Sequence, residues 1–453
     1  MSANRADVPH WEVILAADPT EPKRLLAGAM LRYGTGEDQC VAYLSADGGK
    51  TWKTVLEPGG RADTRGAKRA ADPSVAFGPG GAAYFAMLAA DGRLEHHHTV
   101  VFRSADGGKT WGEPVHVHQP TRMDRPYVTV DRTGGKYDGR VYCNAAVFTD
   151  SLPGTGGTTA DLVPQGGIGI FYSADGGRTF SEPVLQRLRM ANHPHVPKST
   201  GNAVVLSDGT VVTLYNFVPD WRKRDDPAFF LGVERSVDGG KSFEPGSQSI
   251  GERPPRDKFV PKNKFIGRTE RPAGKGLAGL ECLAVDPSTG PHRDTLYAVW
   301  PAYDGKQGRI MLSVSTDKGM KWSEPIRVSD GTEAGAAGTY RGAFMPAVAV
   351  NKDGVVGLSW YDTRDAAGAE PGWDVRFAAS RDGGRTWGPS VRVSEKSSAF
   401  TEAMQTKFGR RIGPGDTAGL AVGADGTFHL LWADHRTGTP QVWTATVAVE
   451  SKR

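Results

Sequence analysis

The chain has 453 residues, with 55 basic against 51 acidic side chains. A formal charge of +4 is too balanced to point to nucleic acid, and no apolar run reaches the length of a membrane span. Fifty-nine glycines and 30 prolines suit a turn-rich chain of short strands, and three cysteines (Cys40, Cys143, Cys282) have no metal-type spacing.

Taken in order, the chain repeats one eight-residue pattern six times. The copies begin at Ser45, Ser104, Ser173, Ser236, Ser315 and Ser380, and the first reads Ser45-Ala-Asp47-Gly-Gly-Lys-Thr-Trp52. Each follows a strand-like run, such as 41–44, 100–103 or 168–172. The Asp can accept hydrogen bonds from the N–H groups of its own turn, and the glycines permit positive φ. The pattern therefore reads as a hairpin signal and not as a catalytic one. Successive Asp residues lie 59, 69, 63, 79 and 65 positions apart, each interval suiting one four-stranded blade.

A second repeat, a strand, a tight turn and another strand, occurs seven times. It starts near Glu12, Asp72, Arg125, Asn202, Glu281, Pro346 and Ala418. The reading is an all-β chain forming a single β-propeller, with seven blades preferred to six. The expected blades are 11–57, 70–118, 125–187, 201–250, 280–329, 344–395 and 416–450. The seventh unit has three strands and no box, so the residues before Trp11 are expected to supply a fourth and close the ring through the two chain ends.

Strand direction sorts the connections. The box turns share one face with the short first-to-second turns. The opposite face gathers the long connections 148–167, 188–200, 248–279, 329–344 and 395–416, where function is expected. Within them, 251–279 holds Arg253, Arg256, Lys258, Lys262, Lys264, Arg268, Arg271 and Lys275, a solvated loop or a guard for an anionic ligand. Innermost strands start on this face with Glu12, Asp72, Asp124-Arg125, Asn202, Glu281, Arg341 or Met345, and Asp416. Second strands end there in Trp360-Tyr-Asp362-Thr-Arg364 and Trp432-Ala-Asp434-His-Arg436. Acids and arginines around one mouth suit acid/base work on an anionic sugar, or ties between blades.

The boxes, the Ala-Val-Asp-Pro turns and the Trp-x-Asp-x-Arg strand ends resemble the sialidase-like BNR (Asp-box) propeller superfamily over nearly the whole chain. The resemblance implies a glycan-active propeller, in the family form an arginine clamp on a carboxylate, a Tyr/Glu nucleophile pair and an Asp acid/base. The family's F/Y-R-I-P motif has no counterpart; the matching segment is Trp11-Glu-Val-Ile. The catalytic candidates are Tyr340 or Tyr361 as nucleophile, Glu281 as its base, and Asp72 or Asp124 as acid. Arg125, Arg341, Arg364, Arg436, His193 and His195 are the candidate substrate binders.

The function expected is an exo-acting glycoside hydrolase on an anionic saccharide. The alternatives are a carbohydrate- or protein-binding propeller without turnover, and a polysaccharide lyase using His193, His195 and Tyr340. The histidine patterns 96–98 and 193–195 lack a third ligand, so no metal is assigned, and His116 and His118 read as outer-strand surface residues. No cofactor is implied, though channel-facing carboxylates could hold a structural cation. The partner expected is a glycan or another anionic small ligand, with the chain a monomer. Met1-Ser-Ala-Asn-Arg lacks the apolar core of a signal peptide, so the chain reads as cytoplasmic, or as extracytoplasmic if a leader has been removed.

Overall fold

A computed structural model of the chain describes residues 1–34, 37–58, 69–90, 97–117, 122–149, 165–186, 189–190, 193–194, 196–218, 229–244, 252–253, 280–303, 307–331, 342–365, 372–399 and 414–450. They form a seven-bladed propeller of antiparallel sheets. Blade one is β1 (His10–Ala17), β2 (Leu25–Arg32), β3 (Asp38–Ser45) and β4 (Lys53–Leu56). Blade two is β5 (Arg69–Phe77), β6 (Ala83–Ala90), β7 (His97–Ser104) and β8 (Val115–Val117). Blade three is β9 (Arg122–Val130), β10 (Val141–Thr149), β11 (Gln165–Ser173) and β12 (Val184–Gln186). A two-residue pair, β13 (Arg189–Met190) and β14 (His193–Pro194), precedes blade four. That blade is β15 (Val196–Val205), β16 (Val211–Val218), β17 (Phe229–Ser236) and β18 (Glu252–Arg253). Blade five is β19 (Cys282–Val285), β20 (Leu296–Tyr303), β21 (Gly308–Ser315) and β22 (Ile326–Arg327). Blade six is β23 (Ala343–Val350), β24 (Val356–Asp362), β25 (Gly372–Ser380) and β26 (Val391–Arg392), with β27 (Ser398–Ala399) also pairing β25. Blade seven is β28 (Gly419–Val422), β29 (Phe428–Asp434) and β30 (Gln441–Val447).

Burial follows radius, which explains the sequence patterns. Second strands are covered on both faces and read as apolar runs: β6, β24 and β29 are buried along their whole length. Outer strands such as β22 and β26 are exposed and polar or mixed. Apolar side chains meet at the seams between blades. Phe85 and Phe102 of blade two pack with Trp11 and Leu26 of blade one, and Phe377 of blade six packs with Phe428 of blade seven.

The seam between the last and first blades is filled in the same way, by Leu431, Ala433 and Val442 against Leu15, Leu25 and Tyr43. The ring is thus closed, but by a different device from the fourth strand expected of the residues before Trp11. Among the described residues the seventh sheet has three strands. Residues 1–10 instead dock on the start of β30, with Ala3–Arg5 in a 3₁₀ turn. The Met1 ammonium donates to Val442 O (3.1 Å), Val442 N to Ser2 Oγ (3.1 Å), Gln441 Nε2 to Val8 O (2.8 Å) and His10 N to Pro440 O (2.8 Å). Pro9 has no N–H for a ladder, so side chains make much of the closure.

The Ser-x-Asp turns behave as their sequence suggests. Ser45 Oγ donates to Asp47 Oδ1 (2.9 Å), and Gly49 N donates to Ser45 Oγ (2.8 Å). Thr51 donates to the two Asp47 oxygens through its N–H (2.9 Å) and hydroxyl (2.5 Å). The Thr51 hydroxyl above all holds the Asp47 carboxyl down at about 2. The Ser-to-Asp bond, and a backbone N–H donated to the Asp four residues on, recur at Asp106, Asp175, Asp238, Asp317 and Asp382.

The second glycine of a turn lies against the preceding blade. Gly177, with φ of 85°, would place a Cβ 2.8 Å from Tyr84 of blade two, whereas Gly48, with φ of 76°, faces open space. Gly48→Ala is therefore expected to lose only backbone strain, about 1–2 kcal/mol. Gly177→Ala adds overpacking of about 1–3 kcal/mol. Urea unfolding of the two variants measures the difference.

Candidate functional site at the channel axis

Four inner strands share one irregularity. Glu12, Asp72, Arg125 and Met345 have φ of 48°, 53°, 55° and 51°, a region L side chains rarely occupy. Each sits at a one-residue shift of register against its second strand, between Trp11 and Ile14, Ala71 and Ser74, Asp124 and Tyr127, and Phe344 and Ala347. Bulges of this kind re-aim a side chain and store about 1–3 kcal/mol of strain each, which the surrounding sheet must hold.

Three of these bulges converge on one ion cluster. The Arg125 guanidinium, 8% exposed, pairs with Asp416 Oδ2 through Nη2. Its Nη1 lies 3.8 Å from Glu12 Oε2 and 3.8 Å from Asp72 Oδ1. Arg125 N–H also donates to Asp72 Oδ2 at 3.3 Å. One guanidinium thus joins blades one, two and three to the segment leading into blade seven. The Asp416 carbonyl extends the connection by accepting Leu280 N (3.0 Å), just before blade five. Gly415 makes the approach possible: with φ of 90°, a Cβ there would fall 2.2 Å from Glu12 Cγ.

Among the described residues, three carboxyls surround this one guanidinium in a buried place. Burial raises the Glu12 carboxyl to about 8; Asp72 and Asp416 add to the rise and Arg125 opposes it. A side-chain hydrogen bond between Glu12 and Asp72 also favours the protonated form. Arg125 is held charged: its burial works against the charge, and Asp72, Asp416, Glu12 and Asp124 outweigh it. Tyr127, two residues along β9, lines the same cavity, and its phenol is pushed far up by burial. The cavity encloses about 10 Å³, the scale of one water.

The other sequence candidates are distributed unevenly. Glu281 is fully buried and its Oε1 accepts from Asn216 Nδ2 at 2.8 Å; its charge reaches Tyr127. Asp124 is half-buried beside Arg125. Tyr361 lies in the seam between blades six and seven, fully buried, its hydroxyl accepting from Ala433 N (3.0 Å). Arg364 is paired with Asp362 (2.7 Å) and Asp330 (2.7 Å). Arg436 is paired with Asp434 (2.5 Å) and stacked 4.2 Å over the Trp443 ring. In both strand ends the Trp indole N–H donates to the same Asp, at 3.0 and 2.9 Å, so the Asp ties the Trp and the Arg of its own segment together. Tyr340, Arg341, His195, His118 and most of 251–279 lie outside the described residues; His193 falls on β14.

Sequence reading gave roles to Asp72 and Arg125, placed Glu12 and Asp416 among the channel-facing strand starts without a role, and passed over Tyr127. The bulge at Arg125 breaks the two-residue alternation that would have related 125 to 127.

No protein-family profile and no curated protein matches the chain. Solved structures do. The Hadza microbial sialidase Hz136 is 16% identical over 93% of this chain and 76% of its own, with a TM-score of 0.51. The NanB sialidase of Streptococcus pneumoniae is 10% identical over 93% and 83%, with a TM-score of 0.49. An alpha-L-arabinanase of Penicillium chrysogenum is 15% identical over 78% and 88%, with a TM-score of 0.47. At such identities the likeness is one of fold. Fold and site together define a seven-bladed propeller with a buried acid–arginine cluster at its axis.

Two outcomes are expected from the cluster. Arg125→Met leaves buried carboxyls without their cation and lowers stability by about 3–5 kcal/mol in denaturant unfolding. The folded chain also keeps a Glu12 proton that the unfolded chain, at an ordinary 4.5, has lost. This contribution is complete below about 4.5 and is lost as pH rises through about 8. Thermal midpoints should fall across that window, and Glu12→Gln should flatten the fall.

Proposed function

We propose that this propeller acts on glycans and hydrolyses a glycosidic bond at the channel axis, with Glu12 as the proton-donating acid and Asp72 as its carboxylate partner. The observation that carries the reading is the Arg125 cluster, where burial keeps the Glu12 carboxyl protonated to about 8 beside a second acid. Glycoside hydrolysis uses a protonated carboxyl for the leaving oxygen and a carboxylate that activates water or bonds the anomeric carbon, the two about 5 Å or more apart. Glu12 and Asp72, in side-chain hydrogen-bond contact, have to separate to act so. The fold shared with the sialidase Hz136 supports a saccharide by analogy alone.

Within this reading a neutral saccharide fits better than the anionic one expected from sequence. Arg125, Arg364 and Arg436 each face at least one carboxylate already, so none brings surplus positive charge to a substrate acid. A binding propeller without turnover is the second reading. What favours it is the cavity of about 10 Å³, which admits a water and not a sugar ring.

A panel of neutral and anionic chromogenic glycosides, read for turnover and for binding, separates the two. The hydrolase reading expects turnover that drops about 10²–10⁴-fold in Glu12→Gln and in Asp72→Asn. Binding without turnover would favour the second reading, and turnover that survives both changes would move the site elsewhere.

A further inference from the structure

We propose that His98 and His116 form a binding site for a divalent transition-metal ion of the zinc type, on the outer part of blade two and apart from the axial cluster. The two residues come from neighbouring strands, β7 and β8. In the register of that pair Val100 stands opposite His116, and His98 is two residues from Val100 on the same strand. Cross-strand partners share a face, as do residues two apart, so both imidazoles project from one face as diagonal neighbours. Their rings stack with centroids 5.1 Å apart and planes inclined by 27°. His98 Nε2 and His116 Nδ1 point at each other across 3.0 Å.

Such a contact is a hydrogen bond only while one nitrogen carries a proton and the other offers a lone pair. A metal ion can replace that shared proton and accept both lone pairs. Zinc binds imidazole nitrogen at about 2.0–2.1 Å, and a tetrahedral angle then separates the two nitrogens by about 3.3 Å. The gap therefore has to widen by about 0.3 Å, and each ring has to turn by about 35° so that its lone pair aims at an ion lying off the line between the nitrogens. Both side chains are half-buried, so the rings are held by their strands while the site keeps an open side for water. Imidazole donors suit zinc, nickel and copper over magnesium or calcium. The ion would clamp the three-residue outer strand β8 to β7.

Titration of the tag-free chain with zinc sulfate by calorimetry tests this directly. One equivalent is expected, with a rise in the thermal midpoint that grows with free zinc. Copper(II) in the same site should show two imidazole nitrogens by electron paramagnetic resonance, a readout that needs no variant. His98→Gln and His116→Gln should each weaken zinc at least tenfold, with circular dichroism unchanged, while His193→Gln leaves it in place. Absence of binding at 100-fold molar excess of zinc, or an equivalent that persists in both glutamine variants, would overturn the proposal.

Discussion

The interaction on which the centre of this molecule depends is the contact of one guanidinium with acids from several blades. Neighbouring blades are joined by apolar seams, which are strong but local. Arg125 alone links three consecutive inner strands, and through Asp416 it reaches the lead into the last blade. An arginine suits this role because its charge is permanent and its planar fork offers several donors in fixed directions. The cost is desolvation, which at 8% exposure is substantial for the cation and for each acid. Part of that cost is avoided if Glu12 stays neutral, and this is the direction in which burial drives it.

The backbone shows how the cluster is held. Glu12, Asp72 and Arg125 occupy left-handed conformations that a free chain would leave. They persist because each bulge is flanked by regular ladder pairing to a second strand buried on both faces. The Ser-x-Asp turns do complementary work on the opposite face. They satisfy their own donors and rest a positive-φ glycine on the preceding blade, as Gly177 does on Tyr84. The strain sits on one face and the locking turns on the other.

Much of the architecture was legible in the sequence because it is written in local chemistry. Ser-x-Asp-x-Gly turns and paired strands need no long-range information, and counting them led to seven blades. The closure was less legible: residues 1–10 bind β30 through Ser2, Gln441 and scattered carbonyls, which leave no periodic trace. For the site, inner-strand starts pointed to Asp72, Asp124, Arg125 and Glu281, all near the axis. The two Trp-x-Asp-x-Arg strand ends carry arginines already paired, for a physical reason. An arginine two residues from an aspartate on a strand end can fold back onto it, and at Asp362 and Asp434 it does. Proximity in sequence supplied the partner that a substrate would otherwise have supplied.

That contrast bears on how function is to be located in this fold. At both strand ends the arginine pairs with the aspartate of its own segment, and Arg364 reaches Asp330 as well. The axial cluster differs in kind, because its members come from separate blades. Among the described residues three carboxyls meet one guanidinium, and burial is what raises the Glu12 carboxyl most. A group that donates to Asp72 or further excludes solvent would shift the Glu12 proton, because both act on the same coupled carboxyls. Chemistry is therefore best sought where the ring's long-range closure, and not a local motif, decides the charge.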